Sequence, residues 1–201
     1  DVDCLPVLDV PVEGAHDVIG HRAYGVTASI VSELGRTAAE GLLSGGVLPV
    51  IKHIPGHGRA GVDSHHQLPV VDTPRAELEA SDFLPFHDAA LLPLAMTAHV
   101  VYTALDPANP ATTSKTVIDE VIRGFIGFDG CLMSDDVSMQ ALSGSIGTRT
   151  AAALAAGCDL ALHCNGVLAE MVEVAKSVPA LSGRAAERAA RALAARRAPS
   201  A

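Results

Sequence analysis

The sequence predicts a parallel α/β fold, because short apolar runs alternate with longer segments of helical pattern along the 201 residues. Parallel strands need such crossover segments between them. Runs that are rich in apolar or β-branched residues and bounded by turn residues predict five strands, at residues 3–8, 47–52, 94–100, 130–134 and 158–163. The pattern alone leaves two architectures open, an open doubly wound sheet and part of a barrel.

Helical segments follow these strands, and their ends carry the residue types that cap helices. The first segment ends at Gly45 and Gly46, and Gly157 closes the fourth. Ser81 offers an N-cap to the second segment, and Gly124 offers a stop to the third. The predicted helices comprise residues 26–43, 82–91, 114–122, 147–156, 167–177 and 182–197.

The composition predicts one globular domain and argues against some partners. Apolar residues make up 49% of the chain and aromatic residues only 3%, so alanine, leucine and valine must fill the core. A formal net charge of −9 argues against nucleic acid, which is bound through clustered lysine and arginine. The arginines near the end of the chain are interpreted as the solvated face of an alanine-rich helix; they are Arg184, Arg188, Arg191, Arg196 and Arg197.

We expect a cytoplasmic protein without a membrane segment. The longest uncharged apolar run, residues 89–105, contains Pro93 and His99 and is too short and too polar to span a bilayer. The four cysteines lack C-x-x-C spacing and lie in apolar runs, which is typical of reduced core thiols.

Each predicted strand ends in polar residues that can carry chemistry. Functional groups of α/β folds collect at the carboxyl ends of parallel strands, so residues at these ends predict one shared site, as at the mouth of a barrel. The residues concerned are Asp9, Lys52, His53, His99, Ser134, Asp135, Asp136, His163, Cys164 and Asn165.

A long polar loop follows the second strand and carries four of the nine histidines. Pro55 and Gly56 are among the residues that exclude a long helix or strand across residues 52–69. Long loops of this kind are uncommon and often functional.

Three hypotheses account for the histidines of this loop. His53 and His57 have the i, i+4 spacing of metal ligands, but the proline and glycine between them break the helix that such ligands need. A second hypothesis is that the histidines only cap and hydrogen-bond the loop. A third is that Asp63 and His65, which point the same way in an extended segment, act as an acid and base pair, since a carboxylate fixes the tautomer of a neighbouring imidazole.

Residues 52–69 resemble the signature of the family-3 β-N-acetylhexosaminidases. That signature reads K-H-F-P-G-H-G, then four variable residues and D-S-H. This chain has Ile54 in place of the usual phenylalanine, and residues 63–65 supply Asp-Ser-His at the matching spacing. Other segments that resemble the family are residues 5–10, 18–25, 96–100, 134–140 and 156–165.

The resemblance implies a (β/α)8 TIM-type barrel, of which this chain holds about the last five β/α units. Under this interpretation residues 1–201 are a single catalytic barrel domain, the C-terminal two-thirds of the family's barrel, with roughly the first three strands absent. A complete barrel typically needs about 250 residues, which agrees with that expectation.

The resemblance also implies a retaining mechanism in which a histidine replaces the usual second carboxyl group. Asp135 is then the nucleophile that forms a glycosyl-enzyme ester, and His65, oriented by Asp63, is first the acid and then the base. Because adjacent strand residues face opposite ways, only one of Asp135 and Asp136 is expected to face the barrel mouth, and the other can cap the following helix. The implied sugar-binding residues are Arg22, Lys52 and His53.

The implied substrate is a terminal β-linked N-acetylglucosamine. For the cytosolic branch of the family it is N-acetylglucosamine joined to anhydro-N-acetylmuramic acid, with or without peptide, which places the protein in peptidoglycan recycling. No metal and no cofactor is implied. Three alternatives stay open: a phosphorylase of the same family, a metal-dependent hydrolase built on the histidines, and an inactive fragment. The sequence leaves the oligomeric state undecided.

Overall fold

The computed structural model describes residues 1–199, in which strands and helices alternate. The strands are β1 (Val2–Asp3), β2 (Leu48–Ile54), β3 (Val70–Val71), β4 (Leu94–Thr97), β5 (Val101–Tyr102), β6 (Cys131–Asp136) and β7 (Leu160–Leu162). The α-helices are α1 (Ala28–Ser44), α2 (Arg75–Ala80), α3 (Leu84–Asp88), α4 (Ile146–Ala156), α5 (Leu168–Ser177) and α6 (Gly183–Ala194). A π-helix covers Val117–Phe125, and short 3₁₀ turns cover Gly20–Arg22 and Ala111–Thr113. None of the described helices is long and apolar enough to cross a lipid bilayer.

Within the described residues, five strands form one parallel sheet in the order β1-β2-β4-β6-β7. Each corresponds to a predicted strand, so the parallel α/β fold is confirmed. β1 is short, but the chain stays paired with β2 beyond it: Leu8 N–H donates to the Lys52 carbonyl (2.6 Å), and Val50 N–H donates to the Leu5 carbonyl (2.9 Å). The result is a parallel half-barrel with β1 and β7 at its edges.

Alternate residues of the strands pack into two apolar clusters, as the period of a strand requires. Ile51 and Ala95 belong to the larger cluster, which contains side chains from the helices. Val50 and Leu94 belong to the smaller one, together with Ala192 of α6. The central strands are therefore buried on both faces, and this fixes the positions of their carboxyl ends.

The helix predicted at residues 82–91 is present but shorter, as α3 (Leu84–Asp88), and a helix that was not predicted, α2, precedes it. Ser81 lies at the C-terminal end of α2 and is not the N-cap of α3, so that part of the prediction is wrong. The Ser81 hydroxyl donates to the Asp82 carboxylate (2.6 Å), which also accepts from Arg59 (2.8 Å). These contacts hold the break between the helices, and Pro85 at the start of α3 favours a new first turn there.

Two further boundaries differ from the prediction. The helix expected at 114–122 is the π-helix Val117–Phe125, which runs through Gly124 and is followed by Gly127 in a left-handed conformation (φ 74°). The strand expected at 94–100 ends at Thr97, where Ala98 N–H turns to the Ile54 carbonyl (2.8 Å). The chain then forms β5, which pairs with β3 in a two-stranded parallel sheet that was not predicted.

Four of the five arginines near the end of the chain are exposed, as predicted, but those of α6 also bind carboxylates, which was not predicted. Arg184, Arg188 and Arg191 all donate to the Asp129 carboxylate, which lies just before β6. Arg188 also donates to Asp159, just before β7 (3.2 Å). The arginines therefore bind α6 to the amino ends of the strands, the edge opposite to the predicted site.

Candidate active site

A cavity of about 200 Å³ lies at the carboxyl ends of the strands. Parallel α/β folds place their functional residues at this edge. Five of the six residues to which the resemblance gives a catalytic or sugar-binding role line the cavity, namely Arg22, Lys52, His53, His65 and Asp135. The sixth, Asp63, is hydrogen-bonded to the ring of His65. The structure therefore brings these six residues together.

Asp135 and Asp136 end β6, and both line the cavity. The prediction that only one of them could face it is wrong, because the strand register shifts between Met133 and Asp136 and the alternation is lost there. Asp136 accepts hydrogen bonds from the Ser138 backbone and hydroxyl (2.9 and 2.6 Å) and from Cys164 N–H (3.2 Å). Asp135 accepts, among the described residues, only from Asp136 N–H (2.8 Å). The Asp135 carboxylate is therefore the one that is available to a ligand.

The surroundings of Asp135 favour its charged form. Burial raises the pKa of this carboxyl, but the nearby imidazoles of His53 and His99, the Asp136 N–H and the Lys52 ammonium together outweigh burial and lower it. His53 Nε2 lies 4.0 Å from Asp135 Oδ2. At neutral pH the cavity therefore holds an anionic carboxylate beside cationic and polar donors.

Asp63 and His65 form the predicted pair. His65 Nδ1 lies 2.7 Å from Asp63 Oδ1, and the same oxygen accepts the backbone N–H of His65 (2.9 Å). Slight burial raises the pKa of Asp63, but these two hydrogen bonds and the charges of His65 and His66 lower it overall. An ionised carboxylate only accepts, so the hydrogen of His65 sits on Nδ1 and Nε2 is left to face a ligand. The His65 side chain is 60% exposed, which places it at the rim of the cavity.

The loop that carries this pair is bound to the segment after the nucleophile candidate. Ala141 N–H donates to the Ser64 carbonyl (3.2 Å), and Gln140 N–H donates to the His65 carbonyl (3.4 Å). Gln140 and Ala141 lie in the turns that follow the end of β6 at Asp136, so the pair and Asp135 are held in one unit at the cavity.

Three side chains give the cavity its basic groups. Lys52 and His53 both line it although they are neighbours in β2, because the register of that strand also shifts between Lys52 and Ile54. In residues 1–199 the Lys52 ammonium makes no hydrogen bond or ion pair with the protein. Arg22 donates to the Val18 carbonyl (2.7 Å) and makes no ion pair with any described acidic residue. These cations are therefore available to the hydroxyls of a ligand.

The sequence placed Asp9 among the strand-end residues of the shared site but gave it no catalytic or sugar-binding role. It is fully buried, and its Oδ2 lies 2.7 Å from His53 Nδ1. Its Oδ1 accepts the backbone N–H groups of His53 (3.2 Å) and His57 (2.7 Å). Burial raises the pKa of Asp9, but the two histidines lower it overall. The sequence indicated a place for Asp9 near the site only through its position directly after the first predicted strand.

His57 is also part of the site and is neutral. Its Nε2 lies 3.3 Å from the Ser64 hydroxyl, and in residues 1–199 its buried Nδ1 has no hydrogen-bond partner. Burial, with the charge of His53, lowers the pKa of His57 to about 4. A protonated ring would bury a charge and an unpaired N–H, which is unfavourable. Neither the burial nor the Ser64 contact could be inferred from the spacing of the loop histidines.

His99 supports the end of β6 from beneath. Its ring is fully buried, with Nδ1 at 2.7 Å from the Thr112 hydroxyl and Nε2 at 3.1 Å from the Asp136 carbonyl. Burial lowers the pKa of His99, so Nε2–H of a neutral ring donates to that carbonyl. His99 thus helps to fix the backbone that presents Asp135.

The geometry favours one of the three hypotheses for the loop histidines. In residues 1–199 no group of three or more His, Cys, Asp or Glu side chains is arranged to hold a metal ion. His53 and His57, the candidate ligands, bind Asp9 and Ser64 instead. The Asp63–His65 pair at the rim of a cavity suits acid and base chemistry.

Comparison with known proteins points to one family. Residues 1–196 match the family described as "Glycosyl hydrolase family 3 N terminal domain". A beta-hexosaminidase of Bordetella parapertussis is 41% identical over 169 residues, which cover 82% of this chain and 47% of that protein. The chain therefore spans about half the length of the curated relatives it matches.

Two solved structures are similar over nearly the whole chain. A glycoside hydrolase family 3 β-N-acetylglucosaminidase from a Paenibacillus species has a TM-score of 0.86 and 33% identity, covering 97% of this chain and 39% of its own. NagZ from Neisseria gonorrhoeae, in complex with N-trifluoroacetyl-D-glucosamine, has a TM-score of 0.83 and 33% identity, covering 95% of this chain and 55% of its own.

Proposed function

Because this chain belongs to glycosyl hydrolase family 3, we propose that its cavity is the active site of a retaining β-N-acetylhexosaminidase. The observation that carries the proposal is that the Asp135 carboxylate lines the same cavity as His65, with a lowered pKa and a single hydrogen bond from the described residues. The two residues supply a nucleophile and a proton donor, which are the two groups that the reaction needs. Residues 1–201 act in this proposal as a single catalytic barrel domain.

In the first step an oxygen of Asp135 attacks the anomeric carbon of the sugar. The bond between that carbon and the leaving oxygen breaks, and the leaving oxygen takes a proton from His65 Nε2. Asp63 stabilises the protonated imidazole before the transfer and holds the ring afterwards through Nδ1–H. The products of this step are the released alcohol and a glycosyl ester of Asp135.

In the second step the same histidine acts as the base. His65 Nε2 takes a proton from water, and the water oxygen attacks the anomeric carbon and displaces the Asp135 carboxylate. Two displacements at one carbon return its original β configuration. Carboxylate, imidazole and water account for both steps. His65 lies on a loop at the rim, where a histidine can approach the substrate and then the water.

The donors of the cavity suit a sugar ring. Arg22 and Lys52 can each donate to a hydroxyl group, and Nε2 of a neutral His53 ring can accept from one. The cavity, at about 200 Å³, is smaller than the roughly 300 Å³ at which pockets for drug-sized ligands begin. The bound ligand of the Neisseria NagZ structure is an N-acylated glucosamine. These observations support a single terminal N-acetylglucosamine as the group that is cleaved.

The finer assignment follows from the resemblance. We propose that the natural substrate is N-acetylglucosamine linked to anhydro-N-acetylmuramic acid, with or without peptide, and that the reaction takes place in the cytoplasm during peptidoglycan recycling.

The proposal is tested by hydrolysis of a chromogenic β-N-acetylglucosaminide, measured with the product of the complete gene and with residues 1–201 alone. We expect activity that is lost in Asp135→Ala and strongly reduced in His65→Ala. Product analysis with and without inorganic phosphate separates two outcomes: free N-acetylglucosamine supports the hydrolase, whereas its 1-phosphate would make the protein a phosphorylase. A folded gene product with no activity in either assay would overturn the proposal.

A further inference from the structure

Asp9 contacts both His53 and His57, two histidines that line the cavity. Its side chain is fully buried below the turn formed by residues 53–57, and it has two histidines as partners. One oxygen accepts the backbone N–H of His53 and of His57, at 3.2 and 2.7 Å, which fixes both ends of the turn. The other oxygen lies 2.7 Å from His53 Nδ1.

The contact with His53 determines where the ring carries its hydrogen. The two imidazoles hold Asp9 in its ionised form against the effect of burial on its pKa. An ionised carboxylate accepts and cannot donate, so the hydrogen of a neutral His53 ring must sit on Nδ1. Nε2, 4.0 Å from Asp135 Oδ2, is then free of hydrogen in the neutral ring and directed at the nucleophile candidate.

The contact with His57 extends the same support to the acid and base pair. The His57 backbone is fixed by Asp9, and its ring reaches the Ser64 hydroxyl at 3.3 Å. Ser64 lies between Asp63 and His65 in the chain. One carboxylate thus supports the ring beside Asp135 and, through a second ring, the loop that carries His65.

We infer that Asp9 is a positioning residue of this site, which sets the tautomer and orientation of His53 and fixes the turn that supports the Asp63–His65 loop. Asp9 itself does not line the cavity and acts only through its neighbours. The inference rests on the proposed function for its effect on catalysis, but its effect on His53 is a property of the free protein.

The test replaces Asp9 with asparagine, which has the same shape but no charge. The backbone N–H groups of His53 and His57 need an acceptor, so the carbonyl oxygen of the asparagine is expected to face them and its NH2 group to face His53 Nδ1. Because that NH2 group donates to Nδ1, we expect the hydrogen of the neutral ring to move to Nε2. Long-range ¹H–¹⁵N correlations of protein labelled in its histidines report the tautomer at alkaline pH, with the His53 signal assigned by a His53→Gln variant. We expect kcat/KM to fall about 10- to 100-fold, the size of loss that misplaced groups cause.

Asp82→Asn is the matched control. Asp82 is also almost fully buried and packs against Gly56 of the same turn, but it binds Arg59 and Ser81 and not a histidine. This variant is expected to keep the His53 tautomer and the kcat/KM of the unaltered protein. Equal losses in the two variants without a tautomer change would reduce Asp9 to a stabilising residue and overturn the inference.

The unaltered protein provides a second measurement that needs no variant to fold. A neutral His53 with its hydrogen on Nδ1 supports the inference, and a hydrogen on Nε2 overturns it. If the tautomer shifts in Asp9→Asn but the unaltered protein has no glycosidase activity, the proposed function fails while the assignment of Asp9 stands.

Discussion

Both ends of the half-barrel carry clustered carboxylates and cations, but the two clusters are satisfied to different degrees. At the amino ends of the strands, Asp129 accepts from three arginines of α6, and Asp159 accepts from Arg123, Arg188 and the Leu132 N–H. At the carboxyl ends, Asp135 accepts from one backbone N–H, and the Lys52 ammonium has no partner in the described residues.

The difference separates stabilising charges from charges that are available to a ligand. The arginines hold the pKa of Asp129 far below its usual range, chiefly through hydrogen bonds from Arg188. Such fully paired groups contribute to the folded state and have little left to offer a ligand. The unpaired groups around the cavity are stabilised less by the protein, which is the expected condition of a site that completes its hydrogen bonds on binding.

The largest expected effect distinguishes the two neighbouring carboxylates at the cavity. Asp135→Asn removes the proposed nucleophile and is expected to lower kcat/KM by about 10⁴- to 10⁶-fold, the range of losses seen when single members of a nucleophilic catalytic unit are removed. Asp136→Asn disturbs hydrogen bonds to Ser138 and Cys164 and is expected to lower thermal stability with a much smaller loss of activity. Steady-state kinetics and thermal unfolding of both variants check this, and a larger kinetic loss in Asp136→Asn would reverse the assignment.

The buried His57 gives a pH dependence to stability. Its pKa is about 4 in the folded protein and 6.5 is the ordinary value, so the unfolded chain takes up the proton first as pH falls. The free energy of unfolding is therefore expected to decrease from about pH 6.5 to about pH 4, by up to about 3 kcal/mol from this residue.

Urea unfolding at a series of pH values measures this dependence, with His57→Gln as the comparison. The variant should lose less stability over the same range than the unaltered protein. The pKa of Asp9 is lowered from 3.8, so protonation of Asp9 removes stability mainly below the pH range in which His57 acts. If the free energy of unfolding changes with pH in the same way in the two proteins, His57 is not buried in its neutral form.

At the amino ends, Arg188 is expected to matter for stability and not for activity. Its side chain is 15% exposed and it joins Asp129 to the buried Asp159. Arg188→Met leaves Asp159 with Arg123 as its remaining cation, and we expect the free energy of unfolding to fall by about 1–3 kcal/mol. Urea unfolding measures the loss, and kcat/KM below the unfolding transition should be unchanged.

The smallest effect is expected for Arg184, which lies one helical turn before Arg188 in α6. Arg184 binds the same Asp129, but both side chains are about half exposed. Exposed pairs contribute less than about 1 kcal/mol, so Arg184→Met should change the free energy of unfolding by no more than that. If Arg184→Met and Arg188→Met lose equal stability in urea, burial is not what makes the Arg188 contacts strong.

The sequence predicted the five strands of the sheet because each is a buried apolar run with polar residues at its end. It did not predict α2 or the break that separates it from α3, since the break depends on Asp82 and its distant partner Arg59. It also did not predict the partners of the α6 arginines, because Asp129 lies more than fifty residues earlier in the chain. Local patterns contain no information about such contacts.

For the site, the residues of the long loop and of β6 could be identified from motif and spacing, and the structure places them at one cavity. The roles of Asp9 and His57 could not be predicted from motif and spacing. Their contacts depend on the pairing of the first strand with β2 and on how the loop folds back over the turn. The alternation rule failed at Asp135 and Asp136 because the strand register shifts there, which no residue pattern reveals.

The most direct test of the account is to trap the glycosyl ester of Asp135. The product of the complete gene carrying His65→Ala is mixed with a β-N-acetylglucosaminide whose phenolate leaving group needs no proton, so that the ester forms while its hydrolysis, which needs a base, is slow. Mass spectrometry of the digested protein should then show one N-acetylglucosaminyl group on the peptide that contains Asp135, and fragmentation should place it on that residue. An adduct on Asp136 or elsewhere, or none while the unaltered protein turns the substrate over, would contradict the account.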